Sequence, residues 1–380
     1  MKISGTLKRN FIRAAALANL LLAAMTILAA YGGKVNPATT TIPAIFAMTF
    51  PGWVILTMIA LGADLFFNRR IALIPFVTLL ICLPPLQSFF PLNLSKSVPA
   101  LDDYDENSFK LMSYNVFDWN EFVQNSDSTK SAPTGGEISE VRTGNPTINL
   151  ILDEAPEIGC FQECPSIKAN KIPGITESQA SLFSELFPYS SRTDGEVLFS
   201  RFPVTPVKLR QPESRYSWFA AGKVDILGHE TLVVSVHLES IGLSNDDKRL
   251  YRRITQGAKT NVGKVKRQLL SKLSHAFRVR ADEARLLREQ IDSLNIGNVI
   301  VAGDFNDIPD CYAMRVIAGD DFKNAFSTAG CGPTYTYHAN RFLFHIDHVL
   351  YRGDMRATDY RCLRKGVSDH YPVEVRFVWE

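Results

Sequence analysis

Two segments in the C-terminal half of the chain carry polar side chains beside apolar runs. In the first, the apolar run 299–302 and a glycine lead to Asp304, and Asn306 follows two positions later. In the second, Asp369 and His370 stand side by side just before an alternating apolar pattern. Short apolar runs bounded by turn residues are typical of buried strands. Carboxylates, amides and imidazoles at strand ends are the groups that metal-assisted attack of water on a phosphate ester requires.

Other predicted strands add polar residues to this set. They are Asn115, Glu163, His237 and Asp347. Taken alone, His237 is more typical of a core or edge histidine. Asp347, inside the predicted strand 341–351, needs a buried partner because an unpaired charge there costs several kcal/mol. Strand alternation places His345 on the face of Asp347 and His348 on the opposite face, and both are interpreted as structural. The joint order of the polar residues favours a single site.

This order resembles that of the endonuclease/exonuclease/phosphatase superfamily of metal-dependent phosphoesterases. The most specific segments are Gly-Asp-Phe-Asn at 303–306 and Ser-Asp-His at 368–370, and the resemblance covers about residues 108–380. It implies an α+β fold, a layered α/β sandwich with two packed, mainly antiparallel sheets. Many predicted strands with few intervening helices favour the same class. The superfamily includes abasic endonucleases, deoxyribonucleases, sphingomyelinases and inositol polyphosphate phosphatases. The resemblance therefore implies hydrolysis of a phosphodiester or phosphomonoester by metal-assisted attack of water.

The resemblance also implies a Mg²⁺ ion, with Mn²⁺ as an alternative, near Asn115, Glu163 and Asp369. Mg²⁺ prefers oxygen ligands and is often held by one or two carboxylates plus the substrate phosphate, and Glu163 is expected to be the main ligand. Many nucleases of the superfamily carry an aspartate two positions after the asparagine, where this chain has Phe117. Asp118 is one position further and is expected to face elsewhere if the strand is regular. This departure weakens a nuclease assignment.

Five residues are expected, by the same resemblance, to act on the substrate. Asp304 would orient and deprotonate the attacking water, and Asn306 would hold the phosphate or the aspartate in place. His237 and His370 would donate to the non-bridging phosphate oxygens as charge develops. Asp347 would accept a hydrogen bond from His370, which fixes the tautomer and favours the imidazolium form.

Three apolar runs precede this part of the chain, at 11–31, 42–67 and 71–90. About 20 apolar residues suffice to cross the hydrocarbon core of a bilayer. A cleaved signal peptide is the alternative for the first run, but its apolar region is too long and two more runs follow. The sequence therefore predicts about three transmembrane helices, with the third run weakened by its prolines. The predicted divisions are a membrane anchor at 1–90, a linker at 91–107 and a catalytic domain at 108–380.

The distribution of Lys and Arg predicts the orientation in the membrane. The first run is preceded or begun by four basic residues, Lys2, Lys8, Arg9 and Arg13, and Asn-Arg-Arg at 68–70 separates the second run from the third. The loop between the first and second runs offers only Lys34. Basic flanks favour the cytoplasmic side. The prediction is an integral protein of the bacterial inner membrane with the catalytic domain on the extracytoplasmic side. If the third run does not cross, the domain faces the cytoplasm.

A basic stretch at 248–288 lies between His237 and the strand that leads to Asp304. Its apolar residues recur at helical spacing, with the clearest helix at 280–294. A basic amphipathic helix can lie on an anionic membrane surface or bind polyanions. With the membrane anchor, this suggests a lipid-linked or otherwise anionic phosphate-ester substrate. The other interpretation is an ordinary solvated helix whose apolar face packs on the core.

Two alternative functions stay open. A nuclease acting on DNA or RNA is not favoured, because the formal net charge is only +2 and no aromatic-interleaved basic groove specific for bases can be identified. A non-catalytic, membrane-tethered binding module belongs to a different class. It would be expected to have lost Glu163, Asp304 or His370, and all three are present. The six cysteines carry no metal-ligand spacing.

Overall fold

The computed structural model describes residues 5–93, 106–120, 144–164, 172–242, 262–339, 343–365 and 367–380. Most of the predicted linker and the basic residues at 248–261 lie outside these ranges.

The N-terminal part of the described chain is helical. Its helices are α1 (Gly5–Tyr31), α2 (Ile42–Ala47), α3 (Phe50–Phe67), α4 (Leu73–Ile81) and α5 (Leu83–Phe89). Among the described residues, two helices are long and apolar enough to cross a membrane, Arg9–Lys34 and Phe50–Phe67. The bent pair Arg69–Ile81 and Leu83–Phe89 would make a third if the pair is one span.

Prolines explain where the second and third apolar runs break. Pro51 lies in the first turn of α3, and Pro84 and Pro85 lie in the first turn of α5. A proline is well accommodated in the first turn of a helix but breaks or kinks its interior. The second run is therefore two helices rather than one, and the third run bends by 60° between α4 and α5.

Polar contacts hold the apolar helices together. The hydroxyls of Thr26 on α1 and Thr57 on α3 are hydrogen-bonded at 2.9 Å, and both side chains are buried. Hydrogen bonds of this kind link helices in apolar surroundings. At one end of the bundle, the Tyr31 hydroxyl donates to the carbonyl of Ile81 at 2.6 Å. The C-terminal ends of α1 and α4 therefore lie at the same level.

The rest of the described chain contains twelve strands and five more helices. The strands are β1 (Ser108–Asn115), β2 (Ile158–Gln162), β3 (Tyr189–Arg192), β4 (Glu196–Ser200), β5 (Val204–Val207), β6 (Trp218–Ile226), β7 (His229–His237), β8 (Asn298–Asp304), β9 (Lys323–Asn324), β10 (Asp347–Arg352), β11 (Met355–Cys362) and β12 (Val373–Trp379). The helices are α6 (Pro146–Glu154), α7 (Glu177–Leu186), α8 (Val262–Leu294), α9 (Tyr312–Ala318) and α10 (Ala325–Ala329).

The strands form two six-stranded sheets. The first has the order β11-β12-β1-β2-β4-β3, and the second has the order β5-β6-β7-β8-β10-β9. β1 pairs with β2, and β7 with β8, in parallel, whereas the other pairs are antiparallel.

The alternation of side chains along β8 shows how the layers pack. Ile300 and Ala302 belong to the apolar cluster between the two sheets. Val299 and Val301 belong to a second cluster, which includes residues of α8 and α9 on the outer face. A strand covered on both faces reads as a continuous apolar run. The outer face of the first sheet is covered in the same way by α6 and α7. The predicted α/β sandwich with two packed, mainly antiparallel sheets is confirmed.

The segment between α1 and α3 packs directly on the second sheet and its helices. The hydroxyls of Thr41 and Ser274 on α8 are 2.9 Å apart, and Ala47 is buried in the same apolar cluster as β8. Gly33 approaches Asp310 so closely that a Cβ at this glycine would lie 2.0 Å from the Asp310 carbonyl oxygen. The N-terminal helices and the sandwich therefore share part of one core.

Candidate active site

Strand pairing brings three of the predicted residues to one sheet edge. In the parallel pair of β7 and β8, His237 lies opposite Asp304. In the antiparallel pair of β8 and β10, Asp347 also lies opposite Asp304. Gly303 permits this close packing, because a Cβ there would lie 1.9 Å from the Val236 carbonyl oxygen and its φ is +156°. The glycine of the Gly-Asp-Phe-Asn segment is thus required by the backbone.

The other sheet contributes Asn115 and Glu163 at the ends of the parallel strands β1 and β2. The Asn115 side-chain amide donates to Glu163 Oε1 at 3.1 Å and to Asp304 Oδ2 at 3.3 Å, and so links the two sheets. Ser368, just before Asp369, fixes this edge, because its hydroxyl donates to the Asn115 carbonyl at 2.7 Å. The Glu163 and Asp304 carboxyl groups therefore open into one site.

Asp304 and Asp347 flank the His370 imidazole. Nδ1 of His370 lies 2.9 Å from Asp347 Oδ2, and Nε2 lies 3.6 Å from Asp304 Oδ2. The second histidine, His237, places its Nε2 3.7 Å from the same Asp304 oxygen. All four side chains are buried. The predicted pairing of Asp347 with His370 is present.

The charges in this group change its protonation. Burial opposes the charged form of His370, but the Asp347 and Asp304 carboxylates outweigh burial and raise its pKa to about 10. Burial raises the pKa of Asp304 to about 6, and the positive charge of His370 opposes that shift. At neutral pH the His370 imidazole is therefore a cationic donor, and the Asp304 carboxyl is mostly ionised, as a general base must be.

The turn after β8 is held by α8. The backbone N–H of Asn306 donates to Asp304 Oδ1 at 2.8 Å, and its side-chain amide donates to the Leu238 carbonyl at 2.9 Å. The next residue, Asp307, binds Arg280 of α8 through Nε and Nη2, both at 3.2 Å. Arg280 is only 1% exposed. The sequence placed it in a basic stretch but gave no signal that it is buried beside the site.

A cavity of about 360 Å³ lies over these groups. Six of the predicted residues line it: Glu163, His237, Asp304, Asn306, Asp369 and His370. Asn115 and Asp347 lie behind that surface and contact it through the hydrogen bonds described above. The structure thus brings together all eight predicted residues. The cavity lining also contains residues that the sequence did not indicate, among them Met48, Arg280, Asp307 and Tyr337.

The donor set of the cavity fits a hard cation such as Mg²⁺. Glu163 and Asp369 offer carboxylate oxygens, the ligands that Mg²⁺ prefers. Burial raises the pKa of the Tyr337 hydroxyl, and the nearby carboxylates Asp369, Asp304 and Glu163 raise it further.

Another group of close metal-type ligands among the described residues is Asp304, Asp347 and His370, whose ligand atoms lie within 4.8 Å of one another. The 2.9 Å contact between His370 Nδ1 and Asp347 Oδ2 is a hydrogen bond, and the raised pKa of His370 keeps a proton there. Because a metal ligand must give up that proton, this group is better suited to sharing protons than to holding a cation.

The residues after Asn115 depart from a regular strand. Phe117, Asp118 and Trp119 all have positive φ angles, of 50°, 53° and 63°. The expectation that Asp118 faces elsewhere assumed continued alternation, but β1 ends at Asn115. Burial raises the pKa of Asp118, and so does the charge of Glu163, so the two carboxyl groups are near neighbours. Phe117 lines the cavity.

The prediction that His345 and His348 lie on opposite strand faces is wrong. β10 begins at Asp347, so His345 precedes the strand, and the two rings stack with centroids 4.8 Å apart. Burial lowers the pKa of both, that of His348 to about 4. Nε2 of His348 contacts the Asp307 carbonyl at 2.9 Å, and Nε2 of His345 lies 3.1 Å from the Tyr360 hydroxyl. Both histidines are neutral packing groups behind the site.

Several solved structures resemble this one. An endonuclease/exonuclease/phosphatase from Beutenbergia cavernae has 16% identity and a TM-score of 0.45, covering 72% of each chain. The mannosyl-6-phosphatase of Bacteroides thetaiotaomicron has 17% identity and a TM-score of 0.42, covering 71% of this chain and 100% of the other. Truncated TDP2 from Caenorhabditis elegans has 14% identity and a TM-score of 0.43, covering 71% and 98%.

Sequence comparison assigns the family. No curated protein matches the chain. A profile described as a domain of unknown function matches residues 9–89, the region of the apolar helices. The profile of the endonuclease/exonuclease/phosphatase family matches residues 138–370, more than half of the chain. The chain therefore belongs to the endonuclease/exonuclease/phosphatase family.

Proposed function

We propose that this chain is a membrane-anchored, metal-dependent phosphoesterase that hydrolyses a phosphodiester or a phosphomonoester. One observation carries the proposal. Asp304 Oδ2 lies 3.7 Å from His237 Nε2 and 3.6 Å from His370 Nε2, and it shares the Asn115 amide with Glu163. A base, two donors and a metal-type carboxylate therefore border one cavity, as attack of water on phosphorus requires.

Asp304 would accept the proton of the attacking water. Its raised pKa of about 6 suits a general base that works near neutral pH. The Asn306 backbone N–H holds Oδ1 of this carboxylate, which orients Oδ2 toward the two histidines. As the water oxygen bonds to phosphorus, the bond from phosphorus to the alcohol oxygen breaks. His237 and the cationic His370 would donate hydrogen bonds to the non-bridging oxygens, where charge develops.

Glu163, Asp369 and the side-chain oxygen of Asn115 would hold the Mg²⁺ or Mn²⁺ ion. When bound, the ion polarises a phosphoryl oxygen and offsets charge on the leaving group. Asn115 lies beside Glu163, but its amide nitrogen faces that carboxylate and its oxygen accepts from the Phe117 N–H at 3.1 Å, so the amide would rotate for the oxygen to reach the ion.

The reaction can be tested on the full-length chain in detergent, with bis-p-nitrophenyl phosphate and p-nitrophenyl phosphate as substrates. Release of p-nitrophenolate should require Mg²⁺ or Mn²⁺ and should stop with EDTA. Asp304→Asn and His370→Ala should abolish turnover, whereas Asp320→Asn, at an exposed aspartate, should retain it. Absence of turnover with both metals would favour the binding-module alternative. Efficient cleavage of plasmid DNA instead of the small esters would favour the nuclease.

Contacts between the helices and the sandwich support a catalytic domain on the extracytoplasmic side of the inner membrane. The loop between α1 and α3 contacts α8 through Thr41, and Asn93, after α5, donates to the Gly330 carbonyl at 2.7 Å. The segment before α3 and the segment after α5 thus both meet the catalytic domain, on the same side of the apolar helices. The basic residues Arg69 and Arg70 lie between α3 and α4, at the other end, which favours the cytoplasm.

Cys331 provides a test of this orientation because it is the exposed cysteine among the described residues. A membrane-impermeant maleimide should label it in intact spheroplasts, and Cys331→Ser should remove the label. Labelling only after the membrane is permeabilised would place the domain in the cytoplasm.

A further inference from the structure

Apolar side chains make up much of the lining of the active-site cavity. Six of them, which we call the apolar wall, are Met48, Ile241, Leu269, Leu273, Phe344 and Ile346. The catalytic carboxylates and histidines line the same cavity. A substrate bound in this cavity therefore meets hydrocarbon as well as Asp304.

Met48 shows where this wall leads. It lies between α2 and α3, directly before the membrane-type helix that begins at Phe50. Met48 packs against the apolar cluster that contains Phe305 and Ile308 of the catalytic turn, as does Phe89 at the end of α5. The rings of Phe50 and Phe89 are in contact, with centroids 5.3 Å apart. The apolar wall is therefore continuous with the end of the helical bundle.

The helix α8 supplies the second half of the wall and a basic rim. Leu269 and Leu273 line the cavity one turn apart, and Ser274 beside them contacts Thr41 of the anchor. On the same helix, Lys272 donates to the Gly242 carbonyl at 3.0 Å, at the edge of the cavity, and Arg267 is exposed. Cationic side chains beside an apolar surface are suited to an anionic membrane interface.

We infer that the substrate is a phosphate ester of a membrane lipid, with its hydrocarbon chain against this wall and its phosphate beside Asp304. The inference rests on the proposed phosphoesterase function and names the substrate class. A nucleotide or sugar phosphate would leave the apolar wall in contact with water or with polar groups, which is unfavourable. An alkyl chain removes that surface from water, and each buried methylene strengthens binding.

The test measures kcat/KM of the full-length chain for methyl, butyl and octyl p-nitrophenyl phosphate. Each ester is used below its micelle-forming concentration, at one fixed detergent concentration. The octyl ester should exceed the methyl ester by at least about tenfold, because several methylenes are buried. Leu273→Asn and Met48→Ser should each lower the octyl-to-methyl ratio by about fivefold or more, the worth of one to two methylene contacts. Leu270→Asn, at the exposed neighbour that does not line the cavity, should leave the ratio unchanged.

The outcomes separate this inference from the proposed function. Equal kcat/KM for the three esters would overturn the lipid inference while leaving the phosphoesterase assignment in place. A chain-length preference that persists in both Leu273→Asn and Met48→Ser would show that the tail lies elsewhere and would also overturn it. Failure to hydrolyse these esters and p-nitrophenyl phosphate alike would remove both. Hydrolysis of a long-chain phospholipid in nanodiscs, lost in Leu273→Asn but not in Leu270→Asn, would support it.

Discussion

Replacing Arg280 by methionine tests how α8 is held against the catalytic turn. The guanidinium group is 1% exposed, binds Asp307 at 3.2 Å through two nitrogens, and donates to the Glu239 carbonyl at 2.8 Å. It also lies over the Phe277 ring at 5.0 Å. Arg280→Met would retain much of the packing but leave the Asp307 carboxylate buried without its partner. Burial already raises the pKa of Asp307, against the effect of Arg280.

Burial determines the expected magnitude. Removing one partner of a buried ion pair costs about 3–5 kcal/mol. An exposed pair contributes about 0–1 kcal/mol, and Arg285 with Asp282 is such a pair on the same helix. For domains of roughly 150–250 residues, 1 kcal/mol corresponds to about 2–4 °C in melting temperature. Arg280→Met should therefore lower the melting temperature by at least about 6 °C, and Arg285→Met by less than about 4 °C.

Thermal unfolding of the full-length chain in detergent, followed by tryptophan fluorescence, measures both shifts. The double variant Arg280→Met with Asp307→Leu should recover part of the loss, because no unpaired charge stays buried. Equal shifts for Arg280→Met and Arg285→Met would refute the reasoning. So would a double variant whose loss equals the sum of the single losses.

Three further predictions concern pH and packing. In Asp347→Asn, the carboxylate that raises the pKa of His370 to about 10 is removed, and burial should bring that pKa toward or below its ordinary 6.5. The His370 imidazolium would then lose its proton at a lower pH than in the wild type. The value of kcat/KM at pH 8 should therefore fall at least about tenfold. An unchanged alkaline limb of the pH–rate profile would exclude Asp347 from this role. Burial raises the pKa of Glu196 well above its ordinary value of 4.5, so the folded protein favours the neutral carboxyl. The free energy of unfolding therefore falls as the pH rises from the unfolded-state pKa of 4.5 toward the folded-state pKa. Glu196→Gln should therefore gain melting temperature relative to the wild type between pH 5 and pH 8, and a constant difference over that range would contradict the assignment. Gly33→Ala should cost about 1–3 kcal/mol, because its Cβ meets a backbone carbonyl. Gly52→Ala, inside α3 with open space around it, should be neutral or slightly stabilising. Equal melting temperatures for the two would show that the segment before α2 does not pack on the sandwich as described.

Part of the fold follows from local patterns. Alternation predicted the strand β1. The apolar runs at β2, β7 and β8 predicted strands because a strand buried on both faces must be apolar along its length. Turn residues such as Gly303 marked where the polar side chains begin. Helix lengths were less well predicted. The sequence indicated helical spacing at 262–277 and a separate helix at 280–294, whereas α8 is one helix from Val262 to Leu294, along which Leu269 and Leu273 line the cavity and Ser274 contacts Thr41.

Register and contacts distant in sequence were not predictable. The strand expected at 341–351 begins only at Asp347, and the alternation argument for His345 therefore failed. Arg280 belonged to a run of basic residues that resembles a solvated helix face. Only its distance to Asp307 shows that it is a buried group beside the site.

The sequence by itself determined the residue types at the site, the strands that carry them and the apolar helices, because these depend on side-chain chemistry and on periodicities of two or 3.6 residues. Only the tertiary structure decided that Asp304 faces His237, His370 and Asn115 at once, and that Met48, just before α3, borders the same cavity. The reason is that sheet register and interlayer packing are set by contacts between residues far apart in the chain, whose pairing no local pattern specifies.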